Sequence, residues 1–246
     1  MASSPASTSL LGAGLVLLAG GAVAQLIPLL LGPWLTRLYA PDMFGLYHVA
    51  AAVMANVAVV AGARFEFALP MARGDAEAHA LTALCWRLSI GAGAVSLVAS
   101  LAWAAWVGRA WPLWLAPGVL LLAWLSLATL NATRAQRFRP LAWARVVQHG
   151  GGALLQVIAG LLATGVHGLI GGAVLAAGAA LAILGGVSRV PQTAARMRAV
   201  ARRYRDFPLL NTPHAFLGAL QDTLVITLVA ASQGAAAAGA WGLALR

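Results

Sequence analysis

Between Met1 and Thr36, and again between Val146 and Ser188, the chain carries no Asp, Glu, Lys or Arg. A segment that crosses a hydrocarbon core about 30 Å thick needs about 20 predominantly apolar residues, and each of these runs exceeds that. The composition agrees: 61% of residues are hydrophobic, 9% are charged, and mean hydropathy is +0.86. Soluble domains carry about 25% charged residues, so the chain is expected to fold into α-helices with lipid as its main solvent. The net charge of +10 would suggest nucleic acid in a soluble domain. Here the basic residues lie between apolar spans instead of along one face, which excludes that reading.

Seven spans are expected. The first has its apolar core at residues 10–31, and the next three occupy 43–63, 88–108 and 110–133. The long uncharged stretch divides at Gly165-Val166-His167-Gly168, where two glycines permit a turn, giving spans at 146–163 and 169–187. A seventh covers 207–232, and an eighth apolar run, 235–245, is too short to cross. Ala22-Val23-Ala24 before Gln25 has the look of a signal cleavage site. No positive charge precedes the run, and hydrophobicity continues past it, so a span is expected instead.

All sixteen basic residues are arginines, and thirteen of them fall in the loops after spans two, four and six. Arginine-rich loops stay on the cytoplasmic side, so the N-terminus and those loops are expected there. Gly168 and Gly172 form a small-xxx-small pair, read as close helix packing within the bundle and not as a dimer motif. Pro28, Pro33, Pro112 and Pro117 are expected near helix bends or starts.

Polar groups at membrane depth are costly and tend to mark function. Asp222 is the foremost candidate, mid-span beside Gln221 and two turns after His214; its alternative role is an ion pair that holds helices together. Asn56 lies mid-span in the second helix, as a ligand or a packing hydrogen-bonder. Arg64 and Glu66 close span two; two residues apart on a helix they would face different ways, each reaching toward another helix or a ligand. Arg87 reads as snorkelling from the start of span three. In 188–206, Met197, Val200, Ala201 and Tyr204 alternate with Arg196, Arg198, Arg202, Arg203 and Arg205, the pattern of a basic amphipathic helix on a membrane surface. Its arginines, Arg196, Arg202 and Arg203 among them, would meet anionic lipid headgroups. The lone Cys85 excludes an internal disulfide, and no metal cluster or cofactor is indicated.

Several short motifs now carry a resemblance. Pro33-Trp34-Leu35-Thr36-Arg37-Leu38-Tyr39-Ala40-Pro41-Asp42-Met43-Phe44-Gly45 resembles the "LTRLYSPEDFG" turn of bacterial polysaccharide biosynthesis proteins. Those are oligosaccharide-lipid flippases of the multidrug/oligosaccharidyl-lipid/polysaccharide exporter superfamily. Arg64-Phe65-Glu66-Phe67-Ala68-Leu69-Pro70 resembles "RYELAIVLP", and Asp75, Glu77 and Ala78 resemble the "DEEA" that follows. Tyr204-Arg205-Asp206-Phe207-Pro208 with Asn211-Thr212-Pro213-His214 resembles "YRDFPLYNAPH". Ala238-Gly239-Ala240-Trp241-Gly242-Leu243-Ala244-Leu245-Arg246 is similar to "AGFYALALR".

The resemblance implies an all-α polytopic bundle. Residues 1–187 would form one six-helix lobe, 188–206 a cytoplasmic linker, and 207–246 the start of a second lobe with helix seven and a stub of helix eight. Family members have twelve to fourteen helices, so a truncated chain is expected. The proline usual after the acidic residue of helix seven is absent from Gln221-Asp222-Thr223-Leu224-Val225.

The implied activity is flipping of an undecaprenyl-pyrophosphate-linked oligosaccharide in the bacterial inner membrane by alternating access, with no enzymatic chemistry and no cofactor. Arg37 and Arg64 would hold phosphates, with Asn56, Glu66, Asn211, His214 and Gln221 along the substrate path and Asp222 coupling an ion. Membrane lipids, a polysaccharide polymerase and glycosyltransferases are the implied partners. A multidrug exporter of the same superfamily and a transport-inactive fragment are the alternatives. Without lysine the chain has no phosphate-cradling loop of the ATP-driven kind.

Overall fold

The computed structural model describes residues 6–187 and 190–234, and among them every regular element is helical. The helices are α1 (Ala6–Leu38), α2 (Pro41–Ala61), α3 (Asp75–Val107), α4 (Leu115–Arg134), α5 (Phe138–Val146), α6 (Gly152–Leu161), α7 (Val166–Ile183), α8 (Ala194–Arg203) and α9 (Thr212–Gln233). Among the described residues, five stretches are long and apolar enough to cross a membrane: Gly14–Leu38, Pro41–Ala61, Asp75–Val107, Trp111–Arg134 and Val166–Ile183. They coincide with expected spans one, two, three, four and six. The eighth apolar run and Arg246 lie outside the described residues, as do Ser188 and Arg189.

The expected helix ends moved where charge had been equated with loop. α3 begins at Asp75, more than three turns before residue 88. Asp75 and Glu77 sit in its first turn, where the N-terminal partial charge favours acids, and Glu77 Oε2 accepts from the Arg73 amide at 2.7 Å. At 1.5 Å per residue the helix is about 50 Å long, well beyond the hydrocarbon thickness. Arg87 is therefore embedded in the helix and does not open it. α3 stops at Gly108, whose φ of 66° supplies the left-handed cap.

The fifth span likewise starts at Phe138, so Arg139 and Arg145 ride on helix. It continues without a break in helical backbone through a π turn at Val147–Gly151 into α6. Pro28 and Pro33 both lie inside α1.

α1 packs against α5 and α6, α2 against α4 and α7, and α3 against α4. One apolar core joins Leu35, Phe44, Tyr47, Met54, Val119 and Ile170. Outside it, Leu18, Leu30, Val95, Val98 and Trp106 are exposed, the surface expected of helices solvated by acyl chains. α9 lies along α2.

α8 corrects one expectation. Its apolar stripe does not face lipid: Met197 and Val200 are buried, and Val200, Ala201 and Tyr204 join a core with Phe65, Leu69, Leu81 and Leu127. Tyr204 also donates to the Met71 carbonyl at 3.3 Å. The same spacing that suits a membrane surface suits the flank of α3, and protein occupies it here.

Candidate functional site

Inside the bundle is a cavity of about 500 Å³ between α1, α2, α4, α7 and the π turn with α6. That lies within the range of about 300–1,000 Å³ common for small-molecule sites. Its polar lining comes from Gln25, Tyr47, Gln148, His149 and Gln156, and among the described residues no Asp, Glu or Arg reaches it. Gln25 and His149 are exposed, Gln148 is half-buried, and Tyr47 and Gln156 are buried.

Gln156 is fixed by two short hydrogen bonds. Its Nε2 donates to the Leu169 carbonyl at 2.7 Å, and its own carbonyl accepts from Tyr39 Oη at 2.7 Å. These bonds tie α6 to α7 and to the turn after α1. Gln148 and His149 are carried by the π turn, a local insertion that re-aims side chains and recurs at functional sites. Gly150 lets that turn close on α1: a Cβ there would sit 2.7 Å from Ile27.

A second polar cluster caps the arginine-rich end. α2 ends at Ala61, and Ala63 and Arg64 take left-handed backbone (φ 48° and 59°) before a 3₁₀ turn, Phe65–Met71. Arg64 and Glu66 are thus not on a helix at all, which replaces the expectation drawn from helical spacing. Arg64 lies over the Phe67 ring at 4.6 Å, with its Nε buried and without a hydrogen-bond partner. Glu66 is 5% exposed, and its Oε2 has no partner either. Burial pushes its carboxyl above the ordinary range, with a backbone N–H and the Arg64 charge pulling the other way. Arg134 fastens this turn to α4: Nη1 donates to the Leu69 and Ala72 carbonyls at 3.3 and 2.8 Å, and Nη2 meets Asp75 at 3.0 Å.

A raised carboxyl pKa means the folded state binds that proton more tightly than the unfolded one. The associated stability is present below the unfolded value, about 4.3, and is lost as pH rises through the folded value. Glu66→Gln is therefore expected to raise the melting temperature at neutral pH, with the gain shrinking toward pH 4. A gain that persists unchanged at pH 4 would contradict this account of Glu66.

The other expected site residues are scattered. Arg37 is exposed in the last turn of α1, and Asn56 is buried on α2 outside the cavity lining. Asn211 is exposed in the π turn Phe207–Asn211, and His214 and Gln221 are exposed on α9. Asp222 falls on α9, but its side chain lies outside the described ones. Arg196 and Arg202 are exposed on α8, while Arg203 pairs with Glu77 at 3.3 Å and lies against the Tyr204 ring.

None of the described side chains among these lines the cavity, and its five polar side chains were missed. The usable signal was the one applied to Asp222, a polar residue inside an apolar run; extended to glutamine and histidine it picks out Gln25, Gln148, His149 and Gln156.

A protein-family model described as "Polysaccharide biosynthesis protein" matches residues 34–246. No curated protein and no solved structure matches the chain.

Proposed function

The chain belongs to the polysaccharide biosynthesis protein family as a multi-pass membrane protein, and from that premise we propose that it flips lipid-linked oligosaccharide across the bacterial inner membrane. Transport and not bond-making is its task, by alternating access of the bundle. The arginine-rich loops and the N-terminus face the cytoplasm.

The observation that carries this reading is the cavity among the spans with an uncharged, hydrogen-bonding lining. A binding site at membrane depth must satisfy the polar groups of its ligand, and amides, imidazole and phenol do so for hydroxyls. Among its described residues the lining offers a cation no carboxylate, which weighs against the drug-exporter alternative. Arg64, with an unpaired Nε, suits a phosphate, and Arg37 has the same chemistry at the other end of the membrane. Asp222 is the coupling residue in this scheme, with Asn56, Asn211 and Gln221 near the saccharide path. The exposed arginines of α8 draw anionic lipid headgroups.

Proteoliposomes test the proposal. A fluorescent lipid-linked saccharide should move between leaflets, becoming accessible to an external quencher faster than in protein-free vesicles. Movement at the protein-free rate would support the inactive-fragment reading, and efflux of a cationic dye without saccharide movement would support the drug exporter.

A further inference from the structure

We propose that the cavity between α1, α2, α4, α6 and α7 is a subsite for an uncharged saccharide unit, and that it excludes anionic sugars and the pyrophosphate itself. The inference rests on the flippase reading for its substrate but concerns a site no motif of the sequence marks.

Three features of the cavity converge on that ligand. The first is the side-chain chemistry. Gln25, Gln148, Gln156, His149 and Tyr47 each combine a donor with an acceptor, as does every sugar hydroxyl. With no arginine among the described residues of the lining, a carboxylate or phosphate placed there would shed its water without gaining a countercharge.

The second is the backbone. Pro28 lines the cavity and has no N–H, so the Ala24 carbonyl loses its normal helical donor. The π turn at Val147–Gly151 interrupts the i→i−4 ladder of the fifth span. α1 and the π turn pack on each other, Gly150 close to Ile27, and Pro28 from one and Gln148 and His149 from the other line the same cavity. Irregular backbone at membrane depth is tolerated where it is buried in protein or lines a wet cavity, and broken helices mark the binding sites of transporters. Both conditions meet here.

The third is the remaining wall, formed by Leu35, Met54, Leu122 and Val174. A pyranose has a C–H face as well as a hydroxyl rim, and an apolar wall opposite a polar one fits both. The volume of about 500 Å³ accommodates a saccharide unit together with water.

Cys85 is the chain's single cysteine and is buried, so a new thiol can report on the cavity. Ala51→Cys places one on the lining, in the full chain, and its alkylation by N-ethylmaleimide is timed with saturating neutral methyl glycosides (glucoside, galactoside and rhamnoside), glucuronate, or inorganic pyrophosphate. At least one neutral glycoside is expected to slow alkylation threefold or more, with no effect of glucuronate or pyrophosphate. Adding Gln148→Leu should abolish that protection while leaving the unprotected rate unchanged. Equilibrium dialysis of the radiolabelled glycosides against the unmodified protein gives the same answer should the variant fail to fold.

No protection and no binding by any neutral glycoside overturns the proposal, as does equal protection by pyrophosphate. The flipping assay separates this failure from that of the flippase reading. If Gln148→Leu protein flips a neutral lipid-linked saccharide at the unmodified rate, the subsite falls and the flippase stands. If the unmodified protein binds glycoside but flips nothing, the reverse holds.

Discussion

Arg134→Ala is expected to lower stability by about 3 kcal/mol, a drop of roughly 6–12 °C in melting temperature for a domain of this size. The loss comes from the two carbonyls and not from the salt bridge. Asp75 is 87% exposed on its side chain, and exposed ion pairs contribute about 0–1 kcal/mol. The Leu69 and Ala72 carbonyls, by contrast, take their hydrogen bonds from a guanidinium that is itself only 23% exposed. Bonds to charged donors contribute about 1.5–3 kcal/mol each. Thermal unfolding in detergent should therefore rank Arg134→Ala as severe and Arg134→Lys as intermediate, since one ammonium cannot span all three partners. Asp75→Asn should be nearly silent. If Asp75→Asn matches Arg134→Ala, the ion pair and not the carbonyl clamp holds the 65–71 turn to α4.

That clamp also shows what hydropathy could not reveal. The spans were legible because excluding charge from lipid is a strong constraint that acts residue by residue, and five of them appear where the uncharged runs placed them. Asp75, Glu77, Arg139 and Arg145 were assigned to loops by the same criterion. A helix leaving the membrane has no reason to stop at the interface, so α3 extends through Asp75 and Glu77, whose charge suits its N-terminus, and α5 through Arg139 and Arg145. Arg64 and Glu66 show the opposite error: the apolar run continues to Ala63, yet the helix ends at Ala61 and two left-handed residues redirect the chain. Hydrophobic periodicity located α8 correctly but could not say whether protein or lipid covers its apolar stripe. The cavity was hidden for a related reason. Gln25, Gln148 and Gln156 are far apart in sequence and individually unremarkable; only the packing of α1 on the fifth span makes them neighbours of one space.

Gly172→Val on α7 is expected to lower stability by about 4 kcal/mol. A Cβ at Gly172 would lie 3.0 Å from Gln156 Cγ and 3.1 Å from its backbone nitrogen. Backbone cannot swing aside, so α7 must retreat from α6, and overpacking of this kind costs about 1–3 kcal/mol. The retreat also strains two buried hydrogen bonds, Gln156 Nε2 to the Leu169 carbonyl and Tyr39 Oη to the Gln156 carbonyl, at about 1 kcal/mol apiece. Gly178→Ala supplies the contrast on the same helix. Its Cβ would meet Leu121 side-chain carbons at 3.6 Å, an ordinary contact, and replacing a helical glycine by alanine gains up to about 1 kcal/mol. Opposite signs at the two positions would establish Gly168-xxx-Gly172 as an intramolecular helix contact; equal small effects would leave that pair free to serve another interface. Because Gln156 lines the cavity, Gly172→Val protein that does fold should also flip saccharide more slowly per folded molecule, whereas Gly178→Ala protein should not. A packing defect that left the cavity untouched would change the folded fraction alone, so measuring both quantities on one preparation separates the wall of the site from the frame that holds it.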